Sequence, residues 1–254
     1  MDKKIKLANV TLVAVSSVQM TETIRALLYS MEKIEFGKVL LITHEKPENL
    51  PDTITFKKCK PLKNIDDYST FMVYDLVTYI ETPFLLHIHY DGYIIRPYKW
   101  QNAFLDYDFI GAPWPKGSQF SKDNTPVRVG NGACCIRSKK LLNAILTLNL
   151  TNKNNYIDSK SDSFNEDKVS IYHRKELEEY GVQFAPVELA SQFSRETTCD
   201  DSVAEPFGFH KHMDLRPLSF LIKHFLFIDA LKILVKPVLK PILDTVRLIF
   251  KKYK

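Results

Sequence analysis

The sequence predicts an α/β fold in which helices flank a sheet that begins as a parallel βαβ unit, with inserted loops on one sheet edge. Three observations carry that prediction. Nearly unbroken apolar runs at 10–15 (VTLVAV), 38–43 (KVLLIT) and 83–89 (PFLLHIH) have the pattern of strands buried on both faces. Segments of helical spacing alternate with them, which implies parallel pairing through right-handed crossovers. Finally, 254 residues at 45% hydrophobic and 26% charged suffice for one large domain with its own core. That composition excludes a mainly disordered chain. Eight Gly and 13 Pro, without a period of 20–50 residues, exclude collagen-like, low-complexity and repeat architectures.

The elements follow in order. After the 10–15 strand, Ser16-Ser17 punctuates the chain. Ile24, Leu27, Leu28 and Met31 then recur at helical spacing over 21–34, with Thr21 as the expected N-cap and Gly37 as the stop. The strand at 38–43 follows. Residues 47–61 are turn-rich, with a short strand expected at 53–56. A second helical pattern covers 68–80, and the 83–89 strand ends abruptly in Tyr90-Asp91-Gly92. Short strands are expected at 109–112, 132–136 and 183–186, a polar loop at 158–167, and one charged helix over 166–179.

Charge is unevenly distributed. Residues 213–254 carry nine Lys/Arg against three Asp, a net +6, whereas 1–212 carries 26 basic and 27 acidic residues. The balanced body gives no reason to bind nucleic acid. In the tail, Lys232, Lys236, Lys240, Arg247, Lys251 and Lys254 trace one helical face and apolar residues fill the rest. With Pro237 and Pro241 interrupting it, and no uncharged run near ~20 residues, this reads as interfacial amphipathic helices drawn to an anionic membrane surface. The competing reading is a helix docked on the sheet or on a second subunit. Two domains are therefore expected, 1–212 and 213–254. Cys59, Cys134, Cys135 and Cys199 lack metal-site spacing and read as free thiols of a reducing compartment. The start, MDKKIKLANV, shows no signal-peptide h-region, so a cytoplasmic protein on the inner face of a membrane is expected.

Chemistry-bearing residues fall at particular places in this order. His87-Ile88-His89-Tyr90-Asp91-Gly92 puts a carboxylate at the C-terminal end of a buried strand, where open α/β sheets bind ligands; an Asx-turn would look the same. His87 and His89 share a face by alternation, and a lone strand histidine is more often core than ligand. Trp114, between two prolines, could offer its ring to a sugar or plug the core. Gly130-Asn131-Gly132 permits close approach of a ligand, although a hairpin is the simpler reading. Asn165-Glu166-Asp167 ahead of a helix reads first as a cap, second as a general base. His210 and His212 in PFGFHKH share a face if extended and could ligate a metal.

The order of these features resembles the bacterial and viral family of GT-A-like glycosyltransferases known as DUF5672. The resemblance runs from about Leu7 to His212. It rests on Tyr68-Ser69 and Phe71, Asp91-Gly92, Trp100, Tyr107-Asp108, 110–114, 130–132, Glu166-Asp167, 185–188, Phe193-Ser194, Glu196 and 207–210. It implies a GT-A fold, a Rossmann-like mixed central sheet flanked by helices. It also implies that Asp91, in the position of a D-x-D motif, binds a divalent cation (Mn²⁺ or Mg²⁺) that holds the donor diphosphate, with His210 completing the metal shell. His89 departs from both the D-x-D pattern and the family's usual Gln-x-Asp-Gly. It would ligate the metal or hydrogen-bond the ribose. Ser16 and Tyr68 would contact the nucleotide, and Trp114, Asn131 and Gly132 the substrate. Asp167 would be the catalytic base of an inverting member, with Glu166 orienting or touching the acceptor. Ala133 replaces a glycine common after the GNG turn.

The expected activity is therefore transfer of a sugar from a nucleotide-sugar, UDP-sugar favoured, to a polysaccharide or lipid-linked acceptor hydroxyl. The alternative is a catalytically silent sugar- or nucleotide-binding protein on the same scaffold. A nucleotidyltransferase ranks last, since no Gly-rich phosphate-cradling run with a nearby Lys follows the first strand.

Overall fold

The computed structural model describes residues 4–116, 127–150, 166–196, 203 and 205–211. Asn165, Cys199, His212, the polar stretch 158–165 and the basic tail 213–254 lie outside the described residues.

The chain opens with β1 (Ile5–Val15), α1 (Met20–Ser30) and β2 (Ile34–Thr43), the expected parallel βαβ unit. β3 (Thr55–Lys58) adds in parallel to β2. A helical stretch then starts as α2 (Ile65–Thr70), passes through a π turn at Phe71–Asp75 and ends in a 3₁₀ turn at Leu76–Tyr79. β4 (Phe84–Ile88) returns to pair in parallel with β1. After it come β5 (Gly92–Ile94), β6 (Phe109–Gly111), β7 (Cys134–Ser138) and α3 (Lys139–Thr147). The described chain closes with α4 (Asp167–Tyr172), α5 (Arg174–Glu179), α6 (Val187–Phe193), β8 (Ser194–Arg195) and β9 (Gly208–His210).

The main sheet has the order β3-β2-β1-β4-β7-β6. Because β7 runs antiparallel to both β4 and β6, the sheet is mixed. A small second sheet has the order β5-β9-β8. Alternation along β1 sends Leu12 and Ala14 into one layer with Ala26 and Leu27 of α1, Leu41 of β2 and Leu86 of β4. Val13 and Val15 join Leu40, Ile42 and Leu85 against Phe71, Met72, Leu76 and Val77 on the opposite face. Covering both faces is why these strands read as unbroken apolar runs. Each fully buried Val or Leu among them contributes about 1.5–3 kcal/mol.

Several sequence expectations need correction. α1 ends at Ser30 and Thr21 lies inside it; the residue before the helix is Gln19, at φ 52 and without a side-chain cap. Gly37 does not stop the helix but sits inside β2, where a Cβ would collide with the Ala8 carbonyl oxygen. The register between β1 and β2 shifts between Leu7 and Thr11, so glycine serves a close backbone approach there. The helix expected over 166–179 is two, parted at His173. Phe184 makes an isolated bridge with Phe109 rather than a strand over 183–186. The strand expected over 132–136 starts two residues later, at Cys134, because side chains hold Gly132. Cys59, Cys134 and Cys135 are free and buried, as expected.

Candidate active site

The C-terminal ends of β1 and β4 lie side by side, because the two strands pair in parallel. That edge is where open α/β sheets leave a crevice for ligands. At the end of β1, the Ser16 hydroxyl accepts a hydrogen bond from the Val18 N–H at 3.1 Å. At the end of β4, a turn closed by the Gly92 N–H on the His89 carbonyl (3.1 Å) presents His89, Tyr90 and Asp91. A Cβ on Gly92 would stand 3.2 Å from the Phe209 carbonyl oxygen, so a side chain here would press on the backbone of β9.

The small sheet completes the site with residues distant in sequence. Gly92 of β5 is paired with His210 of β9, which sets His210 next to Asp91. β8 runs parallel to β9 with Arg195 opposite Phe209, and the next residue, Glu196, reaches His210. The result is a cluster of donors. His210 Nε2 lies 3.1 Å from Asp91 Oδ1 and 3.2 Å from His89 Nδ1. His210 Nδ1 lies 3.3 Å from Glu196 Oε1. One donor atom each from His89, Asp91 and His210 falls within 4.8 Å of the others, a group able to hold a metal ion. Asp91 Oδ1 faces His210 Nε2 as an ion pair, and the two imidazoles and the carboxylate are side chains of the kinds that ligate divalent cations.

A second cluster sits across the Gly130–Gly132 turn. Asn131 donates to Glu196 Oε2 through its side chain and accepts from the Ala133 N–H at 3.1 Å. The Gly132 N–H donates to Asp167 Oδ1 at 2.8 Å, while the Gly132 carbonyl faces His87 Nδ1 at 2.8 Å. Tyr68 Oη lies 2.8 Å from His89 Nε2 and 3.3 Å from His87 Nε2. Ser69, the next residue of α2, donates to Glu166 Oε2 at 2.8 Å. A Cβ on Gly132 would collide with Arg137 Nη2 and stand 2.6 Å from Asp167 Oδ1. Arg137 therefore lies buried beside the carboxylates.

Electrostatics separate the two clusters. Burial, then the His210 charge, lowers His89 to about 3. Burial also works against the His210 cation, but Asp91 and Glu196 outweigh it and raise its pKa. Glu196 falls to about 2: burial opposes this, and His210, Lys211 and Asn131 overcome it. Asp91 is lowered against its burial by His210 and His89. Across the turn the sign reverses. Burial first and Glu166 second push Asp167 up to about 8, with Arg137 and the Gly132 N–H pulling the other way.

Most of the residues expected from sequence meet here: His89, Asp91, His210, Tyr68, Asn131, Gly132, Glu166 and Asp167. Ser16 sits at the same sheet edge. The hairpin reading of the Gly130–Gly132 turn is wrong, since its peptides are spent on Asp167 and His87. Glu166 does take the N-cap position of α4 and Asp167 its first turn, but capping is not what their side chains do. Glu166 makes no side-chain cap, and the two carboxylates bond Ser69 and Gly132 instead. Trp114 is only 9% exposed, and its ring stands where a Cβ of Gly130 would approach to 2.9 Å. It plugs the core beneath the turn rather than offering a face. His87, read as core, joins the network while being fully buried. Glu196 and Arg137 received no role from sequence. Arg137 was legible as a cation within an otherwise uncharged strand, CCIRS; Glu196 needed the β8–β9 register.

No curated protein matches the sequence. Among solved structures, the chain is similar to the galactosyltransferase LgtC in complex with donor and acceptor sugar analogs. That match has TM-score 0.54 and 11% identity, over 79% of this chain and 86% of the other. An active-site mutant of LgtC matches with TM-score 0.55 and 11% identity, over 80% and 88%. Together with the mixed sheet, these likenesses show the GT-A glycosyltransferase fold. The family described as "Protein of unknown function (DUF5672)" matches residues 52–210, more than half of the chain, and the chain belongs to that family.

Proposed function

We propose that this chain is a glycosyltransferase that moves a sugar from a nucleotide-sugar, a UDP-sugar being favoured, to a hydroxyl of a surface-glycan or lipid-linked acceptor. The observation that carries the reading is the convergence of His89, Asp91 and His210 at the C-terminal edge of a GT-A sheet. A divalent cation held there would neutralise charge on the departing nucleoside diphosphate. Two imidazoles and one carboxylate make a mixed donor set, which suits Mn²⁺ better than the strictly oxygen-seeking Mg²⁺. Glu196, against His210 Nδ1, holds that ring in orientation.

Asp167 is the proposed general base. Burial and Glu166 raise its proton affinity, which suits a group that must take a hydroxyl proton near neutrality. Glu166, anchored by Ser69, orients the acceptor side. Asn131 and Gly132 hold the turn between base and cation site, and Ser16 meets the nucleotide at the end of β1. Direct attack by the acceptor oxygen inverts the anomeric carbon. The basic tail 213–254, by its sequence pattern, would hold the enzyme on the inner face of a membrane, near a lipid-linked acceptor.

The test is donor hydrolysis across UDP-, GDP-, CMP- and dTDP-sugars, with Mn²⁺ or EDTA. The expected result is slow release of a nucleoside diphosphate from one donor, lost with EDTA and with Asp91→Asn. If no donor is hydrolysed and none shifts the melting temperature, the chain is a silent scaffold and the proposal is wrong.

A further inference from the structure

Tyr68 and His87 are not ligand atoms of the cation site, yet their hydrogen bonds leave His89 few choices. The His87 Nδ1 partner is the Gly132 carbonyl at 2.8 Å, which can only accept, so this nitrogen carries hydrogen. The ring is fully buried and, among the described residues, no carboxylate is hydrogen-bonded to it. With hydrogen on Nδ1, the acceptor nitrogen of the ring is Nε2, and it is aimed at Tyr68 Oη, 3.3 Å away. The phenol has one hydrogen and two imidazole neighbours, the other being His89 Nε2 at 2.8 Å.

Two arrangements satisfy these groups. In one, Tyr68 donates to His89 Nε2; the His89 hydrogen then sits on Nδ1, pointing at His210 Nε2 (3.2 Å). In the other, Tyr68 donates to His87 Nε2 and accepts from His89 Nε2–H. Only this second arrangement leaves His89 Nδ1 bare beside Asp91 and His210, and only a bare nitrogen can ligate. The phenol hydroxyl is a rotor between the two, and the carbonyl at Gly132 keeps His87 ready to take its hydrogen.

We propose that Tyr68 and His87 are positioning residues that set the tautomer of His89, so that its Nδ1 joins Asp91 and His210 as a ligand to a divalent cation. The inference rests on the cation site of the proposed glycosyltransferase and extends it to residues that do not touch the cation. Neighbours that fix a ligating histidine in this way are typically worth about 10–100-fold in metal affinity.

The experiment uses the full-length protein and two readouts. Mn²⁺ binding, followed by loss of the free-ion EPR signal, should weaken about 10–100-fold in Tyr68→Phe and be abolished in Asp91→Asn. Two-bond ¹H–¹⁵N spectra of unmutated, ¹⁵N-histidine-labelled protein with Zn²⁺ as a diamagnetic probe should show His89 with hydrogen on Nε2 and His87 with hydrogen on Nδ1. This second readout needs no variant to fold. If wild type binds Mn²⁺ through Asp91 but Tyr68→Phe binds equally well, or His89 carries hydrogen on Nδ1 in the Zn²⁺ form, the inference is overturned and the cation site stands. If wild type binds no Mn²⁺, the cation site and the inference fall together.

Discussion

Replacing Asp167 by Asn should make the protein more stable and inactive, and the pH dependence of the first effect can be worked out from the structure. Asp167 sits at about 8, raised first by burial and then by Glu166, whereas a carboxyl in the unfolded chain titrates near ~3.9. Between those values the native state holds a proton that the unfolded state has lost. Stability therefore falls as pH rises, by about 1.4 kcal/mol per pH unit. Below the unfolded value both states are protonated and nothing is lost; above about 8 both are ionised and the penalty is complete. A separation of roughly four units gives an upper bound of about 5.5 kcal/mol. Asparagine keeps the shape and still accepts from the Gly132 N–H, but it never ionises. Urea denaturation at several pH values from the unfolded carboxyl range upward should thus show wild type and Asp167→Asn alike at the acid end. They should diverge in favour of the variant towards alkaline pH. In the same samples, sugar transfer should drop by about 10²–10⁴ in the variant, the range for losing a general base. In wild type, transfer should climb with pH and level off above about 8. Parallel stability curves over the whole range would refute this account of Asp167.

Other consequences are open to test. Arg137→Leu removes a buried cation beside Glu166 and Asp167 and should cost about 3–5 kcal/mol of stability, the usual result of leaving buried charge uncompensated; urea unfolding measures it. Gly132→Ala should displace Asp167 and Arg137, since its Cβ would meet both. Transfer should fall about tenfold or more, as when one charge-assisted hydrogen bond of about 1.5–3 kcal/mol is lost, with secondary structure unchanged by circular dichroism. The full chain should sediment with phosphatidylserine vesicles at low salt and dissociate at about 1 M, where screening shrinks to ~3 Å. Sedimentation that ignores salt would rule out an electrostatic anchor.

The sheet was legible because burial on both faces writes itself into β1, β2 and β4 as unbroken apolar runs. Asp91 was legible for a related reason: a carboxylate followed by glycine ends one of those runs abruptly. Long-range placement was less so. Nothing local in PFGFHKH says that His210 pairs with Gly92; that follows from β5 and β9 meeting in a small sheet. Glu196 enters the site through the same register. Gly37 misled because a glycine after a helical pattern usually stops a helix, whereas this one accommodates the Ala8 backbone. Gly132 misled in the same manner, its neighbours Asp167 and Arg137 being invisible from the GNG triplet alone. The 68–80 pattern was read as one helix, and only the structure separates its α, π and 3₁₀ turns.

That last separation has a consequence for how the chain tolerates insertions and deletions. The π turn at Phe71–Asp75 holds a wider loop of backbone than an α turn, equivalent to one inserted residue. Ahead of it, Tyr68 and Ser69 point their hydroxyls at His89 and Glu166; behind it, Leu76 and Val77 point into the apolar layer. One residue of an α-helix corresponds to a rotation of about 100°. Chain length between Phe71 and Asp75 therefore acts as a phase setting between the polar and apolar faces of one rod. Removing a single residue there would leave composition, charge and hydrophobicity almost unchanged, yet turn the two hydroxyls away from His89 and Glu166 while the apolar side stayed docked.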